Sequence, residues 1–273
     1  LNKFFTISII LVTSIAFSAC EKVIEIDLSD SKSVIVIEAT ISNGKEPFTV
    51  LISKTSPYFE SSASNSVSGA IVSLRIENGK AKYFKESSAG VYKLDKAPVY
   101  ANNWYIVDVE YEGITYTARS YLHAPVPIAD ISISYFDGLG FFDSGYKINS
   151  FIRDPADISN FYRIKLYVDG IVVNDDGELD LYSDKLFNGK GIGLVQHSST
   201  VFNDYDTVVV ELQTIDQSAY DYFSTLENIT GIEMIQSASP ANPISNFNNG
   251  ALGYFSAYSF DRKVVKIQDY LEK

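Results

Sequence analysis

Ala70-Ile71-Val72-Ser73-Leu74-Arg75-Ile76-Glu77, then Asn78-Gly79, then Ala81-Lys82-Tyr83-Phe84-Lys85, is the stretch that decides the fold class. Val72, Leu74 and Ile76 alternate with Ser73, Arg75 and Glu77. Successive side chains of a strand point to opposite faces, so a period of two puts one face in a core and the other in water. Asn-Gly readily takes the positive φ angles of a tight hairpin turn. The stretch therefore predicts two antiparallel strands.

The same pattern extends in both directions. Upstream, residues 34–41 are short and β-branched and end at Asn43-Gly44; 48–52 form a second run, closed by Pro57; 61–68 are Ser/Asn-rich and predict a loop. Downstream come 90–94, 104–111 and, after Glu112-Gly113, 114–118. About seven short strands with turn signals every 8–12 residues predict a β-sandwich of immunoglobulin or transthyretin type over 34–124. Pro125 and Pro127 disfavour both helix and central strand, so a domain boundary is expected there. Residues 125–273 predict a second, antiparallel β-rich domain from runs at 128–136, 146–153, 161–168, 207–214 and 254–260. Its helix is predicted over 217–229. Asp216 can cap it, Ala219, Tyr222, Phe223, Leu226 and Ile229 form an apolar stripe, and Gly231 can stop it. The expected architecture is mainly β: two β-rich domains and one packed helix.

Composition narrows function by exclusion. The chain has 273 residues, 46 % of them hydrophobic, so a core can form and global disorder is excluded. Its 22 basic and 34 acidic side chains give net −12, which argues against nucleic acid, because few groups would neutralise phosphates. One cysteine excludes a disulfide framework and a cysteine-based metal site.

The N-terminus resembles a bacterial export signal. Lys3 supplies positive charge, 4–17 are apolar, and Phe17-Ser18-Ala19-Cys20 resembles a lipobox. Residues 1–19 are expected to be a signal peptide, too short for a spanning helix of about 20 residues. Cys20 is the expected lipidation site and 20–33 the tether. The protein is then anchored to a membrane through its N-terminal lipid. Removing 1–19 leaves 21 basic against 34 acidic side chains, net −13.

Three segments together resemble one family: Cys20-Glu21-Lys22-Val23-Ile24-Glu25-Ile26-Asp27-Leu28, Val67-Ser68-Gly69-Ala70-Ile71-Val72, and Asn246-Phe247-Asn248-Asn249-Gly250-Ala251-Leu252-Gly253-Tyr254-Phe255-Ser256-Ala257-Tyr258-Ser259. They resemble the DUF4249 family of Bacteroidetes lipoproteins, as do 215–226, 151–155 and 160–163. The resemblance implies an outer-membrane lipoprotein, exposed on the cell surface or not, of two β-rich domains, with genes often beside TonB-dependent receptors. It implies no settled activity. The first domain is separately similar to transthyretin-like or carboxypeptidase-regulatory sandwiches, a likeness of fold type that carries no site.

No sequence pattern demands an enzyme or a cofactor. His123 and His197 lack a nucleophile elbow beside them, and no His-Glu-x-x-His motif occurs. Gly189-Lys190-Gly191-Ile192-Gly193 lacks the spacing of a phosphate loop and predicts a flexible β-connection. Asp175, Asp176, Glu178 and Asp180 could gather oxygens for calcium, but they do not meet EF-hand spacing, and Asp176-Gly177 equally suits a hairpin turn. Phe141 and Phe142 stand together in the Gly/Asp-rich run 137–145, where burying both is difficult; they are the candidate partner contact. The expected function is a lipid-anchored envelope accessory or binding protein. The alternatives are a carboxylate-dependent hydrolase of glycan or peptide, since 34 acids offer many pairs, and a structural or adhesive lipoprotein.

Overall fold

A computed structural model describes residues 33–44, 47–56, 65–95, 97–140, 142–175, 178–230 and 242–271. The predicted signal peptide, Cys20, the tether up to residue 32, Phe141, Asp176 and Gly231 lie outside the described residues.

Sixteen strands are described: β1 (Ile35–Ser42), β2 (Phe48–Lys54), β3 (Ile71–Ile76), β4 (Lys82–Tyr83), β5 (Lys85–Ser88), β6 (Val91–Leu94), β7 (Asn103–Tyr111), β8 (Ile114–Leu122), β9 (Ile128–Phe136), β10 (Gly145–Arg153), β11 (Phe161–Val168), β12 (Ile171–Val172), β13 (Asp180–Ser183), β14 (Gly191–Leu194), β15 (Thr207–Ile215) and β16 (Leu252–Lys266). Two helices accompany them, α1 (Gln217–Thr230) and the short α2 (Gln268–Leu271). The mainly β architecture with one packed helix is as the sequence predicts. The β3–β4 connection turns at Asn78, whose φ is +63°.

The strands form three sheets. The largest runs β12-β11-β15-β16-β1-β2-β6-β5, with β13 also paired to β11; the others run β4-β3-β7-β8 and β14-β10-β9. β16 joins the two halves of the chain. Its first half pairs parallel to β1, from Val36 opposite Leu252 to Ser42 opposite Tyr258; its second half pairs antiparallel to β15. Fifteen residues at about 3.3 Å each reach roughly 50 Å, long enough to serve both halves.

Two cores lie on the same side of this shared sheet. Phe255 and Ala257 pack with Ile37, Ile41 and Val50 in the first, under Val72, Leu74, Val107 and Val109 of the four-stranded sheet. Val265 packs with Leu166, Val210 and Leu212 in the second, against Ile131, Ile148 and Leu194 of the three-stranded sheet. Residues 255, 257 and 265 have the same parity along one strand, so they share a face. The expected separation at Pro125–Pro127 is therefore not a separation of sheets: one continuous sheet backs both cores, and residues 247–258 complete the first. A boundary drawn along the chain misses this, because strands pair in space and the last strand returns to the first.

Side-chain hydrogen bonds lock the junction. Asn246 brackets Phe255, donating from Nδ2 to its carbonyl at 2.8 Å and accepting its N–H at Oδ1 at 2.9 Å. Asn248 Oδ1 accepts the N–H of Thr117 at 2.7 Å, and Asn249 Nδ2 donates to the carbonyl of Thr115 at 2.8 Å. The run 246–253 thus acts as a clasp along the edge of β8. In the 67–72 run, the buried Tyr92 hydroxyl donates to the carbonyl of Val67 at 2.9 Å and accepts the N–H of Ala70 at 3.0 Å.

Helix α1 keeps its predicted cap: Asp216 Oδ1 accepts the N–H of Ala219 at 3.0 Å. Ala219, Tyr222 and Phe223 are buried and Leu226 packs against the same cluster. Ile229, expected on this stripe, is 44 % exposed, because it sits at the last turn, beyond the sheet face the helix covers.

Candidate functional site

The sequence candidates fall at separate places. Phe142 lies in a tight turn between β9 and β10, where its N–H donates to the carbonyl of Leu139 at 3.0 Å. It is 39 % exposed, beside Leu139 at 75 % and near Tyr135 at 58 %. The β9–β10 tip exposes apolar side chains together with Asp137 and Asp143.

Among the described residues of the acidic run, Asp175, Glu178 and Asp180 do not converge as a metal site. Asp175 pairs with Arg163 at 2.5 Å and with Lys165 at 3.0 Å, and these charges pull its carboxyl below the usual range against the effect of burial. Asp180 is fully buried. Its Oδ1 accepts the backbone N–H groups of His197 and Ser198, and its Oδ2 accepts from Ser198 Oγ and Asn174 Nδ2, both at 2.8 Å. A carboxylate accepting four donors has its lone pairs filled from within the chain. Glu178 lines a polar cleft of about 390 Å³ that Phe142 also borders. Among the described residues no group of three or more histidine, cysteine or acidic side chains could hold a metal ion.

The glycine run is also structural. Gly189 N–H donates to Asp154 Oδ2 at 2.8 Å, while Asp154 Oδ1 accepts the hydroxyl of the buried Tyr162 at 2.5 Å. Residues 191–194 then enter the sheet as β14, so the predicted flexible connection is a pinned turn and an edge strand.

The histidines are far from equivalent. His197 packs its ring on Tyr182 at 5.1 Å. His123 follows β8 and lines a cleft of about 560 Å³. Strand periodicity puts Arg119, Tyr121 and His123 on one face of β8. Trp104 of β7 lies opposite Tyr121 in register. Edge-to-face contacts link Trp104 to Tyr121 at 5.2 Å and Tyr121 to His123 at 4.7 Å, and the Arg119 guanidinium lies over the Trp104 ring at 3.9 Å. The cleft is also lined by the N-terminal end of α1, with Asp216 and Asp221, and by apolar surface from Ile158 and Phe161.

The two carboxylates play different parts. Asp216 is buried, and besides capping α1 it accepts the N–H of Tyr121 at Oδ2, 3.0 Å away, so it fastens the helix to β8. Burial raises its pKa more than these hydrogen bonds lower it. Asp221 has a carboxyl raised by burial, an effect that Lys185 partly offsets. Sequence reading missed this cleft. The predicted strand stopped at 118, short of Arg119, Tyr121 and His123, and nothing local indicated that α1 would line the same cleft.

Burial holds the His123 imidazole below its ordinary value of 6.5, and its Nδ1 is buried without a hydrogen-bond partner. The unfolded chain therefore takes up this proton first as pH falls. The neutral ring costs nothing above the unfolded value, and stability is lost as pH drops below it. His123→Gln is expected to flatten the stability slope between pH 7.5 and 5.5; unchanged urea midpoints at both pH values would contradict this.

Among the described residues no helix is long and apolar enough to cross a membrane. A family model described as a domain of unknown function, DUF4249, matches residues 21–264. No curated protein matches the chain.

Proposed function

Because the chain belongs to the DUF4249 family, we propose that it is a lipid-anchored cell-envelope binding protein that stands beside a TonB-dependent outer-membrane receptor and takes a ligand in the Trp104–His123 cleft. The observation that carries this reading is the cleft itself. It has the volume of a small-molecule site, aromatic surface and a few polar groups. A hydrolase reading would need a second working carboxylate beside Asp221. Asp216 is already occupied by the N–H groups of Ala219 and Tyr121. The anchor is Cys20, the only cysteine, at the one position a lipobox requires.

Cys20→Ser should release the protein from the membrane fraction, since several acyl chains at about 0.8 kcal/mol per buried CH₂ would be lost together. A cleaved mutant that still pellets and resists carbonate washing would contradict the anchor. Confinement to one membrane raises the effective concentration of both partners, so a modest apolar contact suffices. The β9–β10 tip supplies one. Phe142→Ala, with Phe141→Ala, is expected to fold normally and to co-purify poorly with the receptor after gentle detergent extraction. Undiminished co-purification would exclude the tip. Recovery of no receptor with the unaltered protein would count against the accessory role and favour the adhesive or hydrolytic reading.

A further inference from the structure

We infer that the ligand of the Trp104–His123 cleft is an apolar organic carboxylate, whose carboxylate is gripped edge-on by the Arg119 guanidinium. This rests on the binding reading above and names its ligand class. Of the five arginines, Arg75, Arg163 and Arg262 each pair with an acid; Arg153 is exposed, makes no ion pair among the described residues and does not line the cleft. Arg119 makes no ion pair among the described residues, although Asp216 and Asp221 line the same cleft. Its described contact is the face of Trp104. Stacking uses the flat face of a guanidinium and fixes its plane, leaving the N–H edge to donate in a fork that fits a planar oxyanion.

The rest of the cleft decides between anions. Among the described residues Arg119 is the one cation that lines the cleft, and Asp221 lines it too. A doubly charged phosphate would meet that carboxylate with one cation to offset it; a singly charged carboxylate is matched by Arg119. Tyr121, Phe161 and Ile158 give the body of the ligand an apolar surface. His123, held neutral by burial, adds polarity without charge.

The test uses a feature of the sequence: Trp104 is the only tryptophan of the chain, so its emission reports on this cleft alone. Full-length protein in detergent is titrated with hydrocinnamate, with its neutral amide and with phenyl phosphate. Hydrocinnamate is expected to change Trp104 emission saturably and to bind at least about tenfold more tightly than the amide, the margin of a charge-assisted pair. Arg119→Lys should weaken hydrocinnamate by about tenfold, because lysine keeps the charge and loses the fork. Arg119→Gln should reduce it to the level of the amide. If acid and amide bind alike, and Arg119→Gln changes neither, the carboxylate assignment is overturned while the binding reading stands. Tighter binding of phenyl phosphate than of hydrocinnamate also overturns the assignment. No emission change with any of the three overturns both. Should Arg119→Gln fail to fold, the comparison of acid with amide on the unaltered protein still decides.

Discussion

Gly253→Ala is expected to yield no folded protein. A Cβ built on Gly253 falls 2.1 Å from the carbonyl oxygen of Ile37, and φ there is +93°, a region that L side chains rarely adopt. The clash is with backbone, not with a side chain that could swing away. Ile37 is the register partner of Gly253 in the parallel β1–β16 pairing, so relief requires opening the pairing that joins the two halves. Backbone strain alone costs about 1–3 kcal/mol; loss of the junction adds more, against a total stability of about 5–15 kcal/mol for a typical domain. Gly250→Ala is the matched control. Its φ is +75°, but nothing lies within 4 Å of the added Cβ, so it should cost only about 1–2 kcal/mol. Soluble yield and urea midpoints of the two variants separate clash from conformation. Equal, mild losses in both would show that β1 and β16 can move apart locally.

Asp180→Ala should be the second most damaging change, by about 3–5 kcal/mol, because it orphans several buried donors together. The N–H groups of His197 and Ser198, Ser198 Oγ and Asn174 Nδ2 all converge on this fully buried carboxylate. Asn174 in turn donates from Nδ2 to the carbonyl of Ile164 and accepts the N–H of Leu166 at Oδ1, so the damage spreads into β11. Thermal unfolding measures the loss. Added calcium should leave the melting temperature of the unaltered protein unchanged, since a bound ion would raise it by mass action. A calcium-dependent rise would show that Asp180 can exchange its internal donors for a metal.

Most strand positions were legible because their signals are local. Residues 128–136 and 161–168 are strands at the predicted bounds, and 217–229 became α1 with its Asp216 cap. The strands that sequence reading missed in the second half are short. Ile171–Val172, Asp180–Ser183 and Gly191–Leu194 have two to four residues, too few to display a period, and they exist because β10 and β11 offer edges to pair with. Length also hid the reach of β16. The expected run 254–260 stops where Asp261-Arg262-Lys263 begins, because charges read as a strand end. In the structure Arg262 instead lies against the buried Glu211 and over the Phe260 ring, so the strand continues on a face where its charge is matched.

The candidate site divides along the same line. The sequence by itself determined which side chains share a face where it predicts an element: alternation sets Val72, Leu74 and Ile76 apart from Ser73, Arg75 and Glu77, and a helical stripe aims Ala219, Tyr222 and Phe223 at a sheet. It also determined family membership and the position of the lone cysteine. Only the tertiary structure decided which faces meet. The parallel pairing of β1 with β16 joins opposite ends of the chain. It carries no local signal, since any β-branched run can hydrogen-bond to any other. The selection came from what cannot fit elsewhere: a glycine at 253 that tolerates the close approach of Ile37, asparagines at 248 and 249 whose amides match the free edge of β8, and Asn246, whose amide brackets Phe255. Once that junction closes, Asp216 reaches the N–H of Tyr121, and α1 lines one cleft with Arg119 and Trp104. The cleft follows from a packing choice, and that is why residues so plain in the sequence acquire a function only in the fold.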